Sequence, residues 1–186
     1  MSKRHSAAGL PGGPFRVADA RASGFSVRQL RGDRLWIPTP GVRSAAELTA
    51  VRERATAFAL VLPDDVVFSH TTAAQLWGLA LPPRLERVSQ LEVTRRTGKA
   101  RIVRTGVTCH RGLERRVVET AHGVRVTSVA DTWCDLIETY RRSLSLSDAV
   151  MIGDAAVERI HRTRPWVDEG GRLVFDVDEV HPQASP

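Results

Sequence analysis

Ser69 with His70, Cys109 and His110 with Cys134, and Asp131 with Asp135 are the side chains whose types could carry catalysis or hold a metal. Ser69 and His70 are adjacent. Neighbours on a helix point in different directions, so the two are not expected to form a nucleophile-base pair, and Ser69 reads instead as a helix cap. Cys109, His110 and Cys134 lack the close-spaced pair that zinc sites use, so no metal or cofactor is assigned to them. Two packed, reduced thiols are the plainer expectation. Asp131 and Asp135 lie four apart on one helix face, the spacing of a metal pair, yet Asp131 stands at the third position of a helix that Ser128 caps. Both are assigned to structure. GxSxG, Walker and HExxH motifs do not occur in the sequence, so acyl transfer, nucleotide hydrolysis and zinc proteolysis lack their usual parts and no enzyme is expected.

Recognition chemistry is better represented. The run Ser26-Val27-Arg28-Gln29 has the pattern of a capping box, in which the serine hydroxyl accepts the Gln29 amide while the Gln29 side chain reaches back to the Ser26 amide. A helix starting there turns Val27 and Leu30 inward and Arg28, Gln29 and Arg31 outward. Outward residues at the start of a recognition helix reach base edges, where Arg pairs with guanine and Gln with adenine at about 1–3 kcal/mol of discrimination each. Ser26, Arg28, Gln29 and Arg31 are therefore the expected base-reading residues, with Arg34 and Arg43 on phosphate. An ordinary solvated helix face is the competing reading. Arg95, Arg96, Lys99, Arg101 and Arg104 form a second basic cluster around a predicted hairpin turn. That cluster fits either a secondary contact with the DNA backbone or charge protection of a sheet edge.

The 186 residues hold 27 Lys and Arg against 21 Asp and Glu, a formal charge of +6 that is unevenly spread. Residues 1–60 contain ten basic and four acidic side chains, residues 84–116 ten and three, and residues 117–186 seven and twelve. A basic front and middle with an acidic end is the pattern expected if the first two face phosphate. Only Lys3 and Lys99 are lysines, so a GC-rich genome placing Arg on solvated surfaces is the bland explanation of the same excess. Aromatic residues make up 5%, with a single tyrosine, too few for a platform that stacks single-stranded bases, which leaves double-stranded DNA as the expected partner. A hydrophobic content of 42% suffices for a packed core. No apolar stretch approaches the roughly 20 residues of a membrane span, and Met1 to Pro14 lacks the apolar centre of a signal peptide. A cytoplasmic protein with no membrane partner is expected.

Holding these residues in place requires a particular set of elements. Residues 1–14 are rich in Gly and Pro and read as a flexible arm. Residues 15–44 read as helix, Gly24 turn, second helix from Ser26, and an extended pair around RLWIPTPGVRS that would form a wing. A helix is expected from Ala45 to Leu62, stopped by Pro63, and another from Ser69 to Leu79. Strand patterns occupy residues 88–94, 101–111 and 124–129, with Thr97 to Lys99 as the turn joining the first two. Ser128 then starts a helix whose apolar face is Val129, Trp133, Leu136, Ile137 and Tyr140, and a last helix runs from Ser147 to about Arg159. The expected class is α+β: a small N-terminal winged helix-turn-helix, then an α+β domain over residues 45–160 with a small, mainly antiparallel sheet covered by helices. Residues 161–186 form a tail with one strand-like run, LVFDV.

Several of these residues also carry a resemblance. Phe15, Ala18-Asp19-Ala20, Gly24-Phe25-Ser26, Gln29-Leu30, Gly41-Val42, the SHTTAAQLWGL run at 69–79 with Leu81-Pro82, the GVRVTSVADTWCDL run at 123–136, and Gly153-Asp154 together resemble the AbiEi-type antitoxin family of type IV toxin-antitoxin operons. The similar branch is actinobacterial, and its members often carry a very-short-patch-repair-like nuclease domain. The resemblance implies a winged helix-turn-helix that binds its own promoter or operator as a repressor, and a nucleotidyltransferase-like toxin encoded nearby. It departs from the family in the Gly- and Pro-rich segment before Phe15 and in Gly41-Val42-Arg43, where the family reads GVY. GRLVFDVDEVHP is similar to the first strand of the nuclease fold, with Asp178 at the place of a metal-holding aspartate. The eight residues after it leave no room for the rest of such a site, so the tail is expected to be a nuclease remnant or a chance likeness. The alternative function is a catalytically incomplete relative that acts as an interaction or scaffold module.

Overall fold

The computed structural model describes residues 11–32 and 34–163, with two short strands at 166–167 and 173–174. Most of the predicted arm and the Asp178 position lie outside the described residues. The first elements are β1 (Phe15–Arg16), α1 (Val17–Ala22), α2 (Val27–Leu30) and β2 (Val42–Arg43). β1 and β2 pair antiparallel, Phe15 opposite Arg43, and Trp36 and Ser44 exchange backbone hydrogen bonds of 2.9 and 3.1 Å. The extended segments after α2 therefore meet a strand that precedes α1, which the sequence pattern did not announce. Phe15, Ala20 and Leu30 form a small apolar cluster of their own, edged by Val17, Phe25 and Leu35. Val27, expected inside, is 43% exposed, because α2 makes one turn and Leu30 alone completes its inner face. A cluster this small is marginal by itself. Arg104 ties it to the rest of the chain, donating from Nη1 to Thr39 Oγ1 at 2.8 Å and to the Pro40 carbonyl at 2.9 Å.

Next come α3 (Val51–Ala59), β3 (Val67–Phe68), α4 (His70–Trp77), α5 (Pro83–Glu86), β4 (Leu91–Arg95) and β5 (Val107–Arg111). A single 3-10 turn (Leu113–Arg115) leads to β6 (Val118–Ala121), β7 (Val124–Thr127), α6 (Val129–Tyr140), α7 (Leu146–Thr163), β8 (Trp166–Val167) and β9 (Leu173–Val174). The class is α+β, as expected. Helix α3 starts six residues later than predicted, because the Ser44 hydroxyl accepts the Ala46 amide and holds the chain in a turn. The amide of the capping residue Ala50 then donates to Glu53 Oε2 at 3.3 Å. Helix α6 starts as predicted, with Ser128 Oγ accepting the Asp131 amide at 3.1 Å. The last helix is capped at Ser145 rather than started at Ser147: Asp148 accepts the Ser145 amide and donates its own amide to Ser145 Oγ.

The sheet departs most from expectation. It has five strands in the order β5-β4-β3-β7-β6. β3 runs antiparallel to β4 but parallel to β7, β4 and β5 are parallel, and β6 and β7 are antiparallel. The sheet is thus mixed, not mainly antiparallel, and Thr97 to Lys99 closes no hairpin. Register from Leu91 opposite Val107 to Arg95 opposite Arg111 obliges residues 96–106 to travel back along the strand before β5 begins. Alternation of β-branched residues identifies a strand but is blind to its direction. β6, which no predicted strand covers, joins β7 through His122 and Gly123, both at positive φ (+50° and +77°), the geometry that two-residue hairpin loops demand. β3, also outside the predicted strands, has two residues, too few to show a period.

The main core gathers Phe58 from α3, Phe68 from β3, Leu76 and Trp77 from α4, Leu91 and Val93 from β4, Val126 from β7, Leu136 from α6 and Ile152 from α7. Fully burying a side chain of this size stabilises by about 1.5–3 kcal/mol, so this cluster anchors whatever the sheet and α4 present. Among the described residues, no helix is long and apolar enough to cross a membrane.

Candidate functional site

Two regions bring chemistry-bearing residues together: the surface around α2, and a buried polar cluster between α4, β4, β5 and α6. At the first, the capping box forms. The Gln29 amide donates to Ser26 Oγ at 3.3 Å and the Ser26 amide to Gln29 Oε1 at 2.8 Å. Ser26 and Gln29 thereby engage each other, while Arg28, Arg31 and Arg34 stand exposed. Arg43 is employed differently. Its Nε donates to the Leu30 carbonyl and its Nη1 to the Val42 carbonyl, both at 2.8 Å, so it satisfies a carbonyl at the C-terminal end of α2. The helix has four residues, about 6 Å of length.

The second predicted basic cluster is divided by the structure. Arg95 clasps Asp65 with Nε and Nη2 at 2.7 and 2.8 Å, holding that carboxyl below its ordinary value, and also donates to the Ala100 carbonyl. Arg104 holds the Thr39 to Pro40 turn. Arg96, Lys99 and Arg101 remain exposed on the connection between β4 and β5.

The buried cluster was not anticipated. Ser69 and His70, read as unable to meet, do so: Ser69 Oγ lies 2.9 Å from His70 Nδ1. Ser69 is extended, just before α4, and His70 has a φ of +52°, so neither obeys helical side-chain directions. Nor does the Ser69 side chain cap the helix. Its oxygen accepts from Thr94 Oγ1 at 2.7 Å, and a carboxylate from the sheet serves the helix start instead. Glu92 Oε2 receives the Thr71 amide at 2.9 Å and the Thr71 hydroxyl at 2.5 Å, placing negative charge where the helix dipole favours it.

The other oxygen of Glu92 binds outward neighbours. His110 Nε2 and the Tyr140 hydroxyl both lie 2.9 Å from Oε1. The rings of His70 and His110 stack with centroids 3.7 Å apart and planes 17° from parallel. On its far side, His70 Nε2 meets Thr139 Oγ1 at 3.0 Å. Asp135, buried on α6, accepts Arg116 Nε through Oδ1 at 2.8 Å, while its Oδ2 has no hydrogen-bond partner and sits 4.0 Å from His70 Nδ1.

These surroundings set the protonation states. Burial, then the neighbouring His110, pulls the His70 pKa from 6.5 to about 3, so the ring is neutral at neutral pH. Burial works to raise Glu92, but hydrogen bonds from His110 and Thr71 outweigh it and hold the carboxyl at about 2. Burial pushes Asp135 upward against the pull of Arg116. Burial and the Glu92 charge also push Tyr140 up. The cluster thus offers two imidazoles and an ionised carboxylate within reach of one another, the donor set of proton transfer or of metal ligation.

A signal for it existed in the sequence. Leu91-Glu92-Val93-Thr94 is a strand buried on both faces, and a glutamate at such a position requires partners. The other aspartate of the predicted pair, Asp131, is structural as expected, accepting the Ser128 hydroxyl and the Val117 amide. Both cysteines are free. Cys109 is half-buried beside the His110 backbone, whereas Cys134 is exposed, not packed as expected. No protein-family model, curated protein or solved structure matches the chain.

Proposed function

We propose that this chain is a regulator of antitoxin type that binds double-stranded DNA at its own promoter and represses its operon, with no catalytic activity of its own. The observation that supports this reading is the formed Ser26 to Gln29 capping box, which sets α2 at the surface with Arg28, Arg31 and Arg34 exposed around it. In this reading residues 15–44 are a winged helix-turn-helix, with β1, β2 and the Trp36 to Ser44 bridge as its small sheet. Arg28 and Arg31 reach base edges, and Arg34 holds phosphate. Gln29 reads a base only by releasing the Ser26 amide. Arg43 positions α2 and leaves phosphate to the exposed arginines, with Arg96, Lys99 and Arg101 as a secondary backbone contact. An operator-binding protein works in the cytoplasm, and a nucleotidyltransferase-like toxin gene beside it fits the same reading.

The test is a gel shift of the whole chain on its own upstream DNA, with excess nonspecific competitor and at two salt concentrations. A defined band that survives competitor and weakens steeply with salt supports an operator-binding regulator. Loss of all binding to competitor sinks it. One observation favours a second reading, an interaction or scaffold module: α2 is a single turn, which presents few residues to a major groove.

A further inference from the structure

We propose that His70, Glu92 and His110 form a binding site for a divalent first-row transition ion, with Zn²⁺ as its simplest occupant. This goes beyond the DNA-binding reading and does not depend on it. One ligand atom from each residue lies within 4.8 Å of the others, and His110 Nε2 is already 2.9 Å from Glu92 Oε1. Four-coordinate zinc with bonds of about 2.0–2.1 Å sets its ligand atoms roughly 3.3 Å apart, so the widest separation closes by about 1.5 Å. Parallel stacked rings do not aim their nitrogens at a common point, and one ring has to tilt. His110 can do so. It sits on β5, the edge strand, and its side chain is 22% exposed, which also supplies the entry path such a site needs.

Three further features point to a cation. Two histidines and one carboxylate are a donor set that selects first-row transition ions over calcium or magnesium. A neutral imidazole keeps one bare nitrogen, so ligation through His110 Nε2 requires the proton that Nε2 shares with Glu92 to move to Nδ1, with no net loss from the ring. His70, held neutral by burial, and Glu92, held ionised, are in the states that ligation requires. The second feature is Asp135. Its Oδ2, buried without a hydrogen-bond partner, stands 4.0 Å from His70 Nδ1, one small ring shift short of the carboxylate hydrogen bond that orients metal-bound histidines. The third is backbone strain. A left-handed φ of +52° at His70 costs on the order of 1–3 kcal/mol and persists where the surroundings over-determine it, most often at functional sites. Here that backbone turn is what brings the ring against His110.

Three protein ligands leave a fourth position for water or a ligand atom. Thr139, bonded to His70 Nε2, also lines a surface cleft with Glu138, Arg141 and Arg142.

The test titrates Zn²⁺ into the full chain after chelator treatment and dialysis, by calorimetry, using a Cys109→Ser/Cys134→Ser background so that thiols do not compete. One equivalent bound, with affinity lowered roughly ten- to a hundredfold by Asp135→Asn and at least as much by His110→Gln, supports the site. Histidine ring resonances in the same double-serine background provide a readout that needs no change at the site. Those of His70 and His110 should shift with the first equivalent while those of the other four histidines stay. Absence of uptake, uptake unchanged by His110→Gln, or shifts confined to those four each overturn the proposal.

Discussion

His70 on α4 and His110 on β5 lie face to face, their ring centroids 3.7 Å apart, although 40 residues separate them in the sequence. Burial, reinforced by the neighbouring ring, keeps His70 neutral. The acid behaviour of the whole protein is expected to follow from that.

His70 has its folded pKa depressed from 6.5 to about 3, so its neutral form contributes stability in full above pH 6.5. That contribution is lost as pH falls toward 3, because the unfolded chain takes up a proton that the folded one refuses. Glu92, depressed from 4.5 to about 2, adds a loss of the same sign below pH 4.5. Each group costs up to about 1.4 kcal/mol per pH unit inside its window. Urea unfolding at a series of pH values from 7.5 to about 4 should show falling stability from the His70 window onward. His70→Gln should flatten the upper part of the curve, and an unchanged slope would show that His70 is not held neutral.

Arg116 is the cation paired with Asp135, with Nη2 2.7 Å from Oδ1. Removing it leaves a buried carboxylate that already has one unpartnered oxygen. Arg116→Ala is expected to cost about 3 kcal/mol. Asp135→Asn should cost less, and the double variant should cost less than the two single effects added. Additive costs in denaturant unfolding would show that the pair is not coupled.

Gly106 and Gly123 both have positive φ, +82° and +77°, but only one of them is crowded. A Cβ on Gly106 would come 3.2 Å from Phe58 Cζ in the core, whereas at Gly123 it meets nothing within 4 Å. Gly123→Ala is expected to cost the backbone strain alone, about 1–2 kcal/mol, and Gly106→Ala distinctly more. Thermal unfolding of both variants compares them directly, and equal losses would contradict the close packing against Phe58.

The arginines near α2 should separate by role. Arg28→Ala and Arg34→Ala, at exposed positions, are expected to leave stability within about 0.5 kcal/mol while weakening DNA binding. Arg28→Ala should also relax sequence preference, and Arg34→Ala should weaken all DNA about equally. Arg43→Ala should instead lower stability by about 1–2 kcal/mol through its two carbonyl bonds. Amide exchange in α1 and α2 reads this effect separately from binding. Normal exchange protection in Arg43→Ala would remove its positioning role.

Local features were legible from the chain itself. Ser26 with Gln29 and Ser128 with Asp131 are short-range hydrogen-bonding patterns, and three-residue spacing leaves little for distant packing to alter, so both caps formed as read. Although the inner face of α6 also buries Thr132 and Asp135 and leaves Ile137 half-buried, Val129 and Leu136 on that face and the α+β class follow from local periodicity. Direction and partnership of strands did not. β4 and β5 carry the alternation of a hairpin pair yet run parallel, because pairing is settled by which crossover the rest of the sheet permits. The buried cluster belongs wholly to tertiary structure. Ser69 and His70 meet through a left-handed backbone step, and His110, Glu92, Tyr140 and Asp135 arrive from three other elements. Spacing along a chain cannot express such a constellation, since its distances are set by how α4 and α6 pack on the sheet.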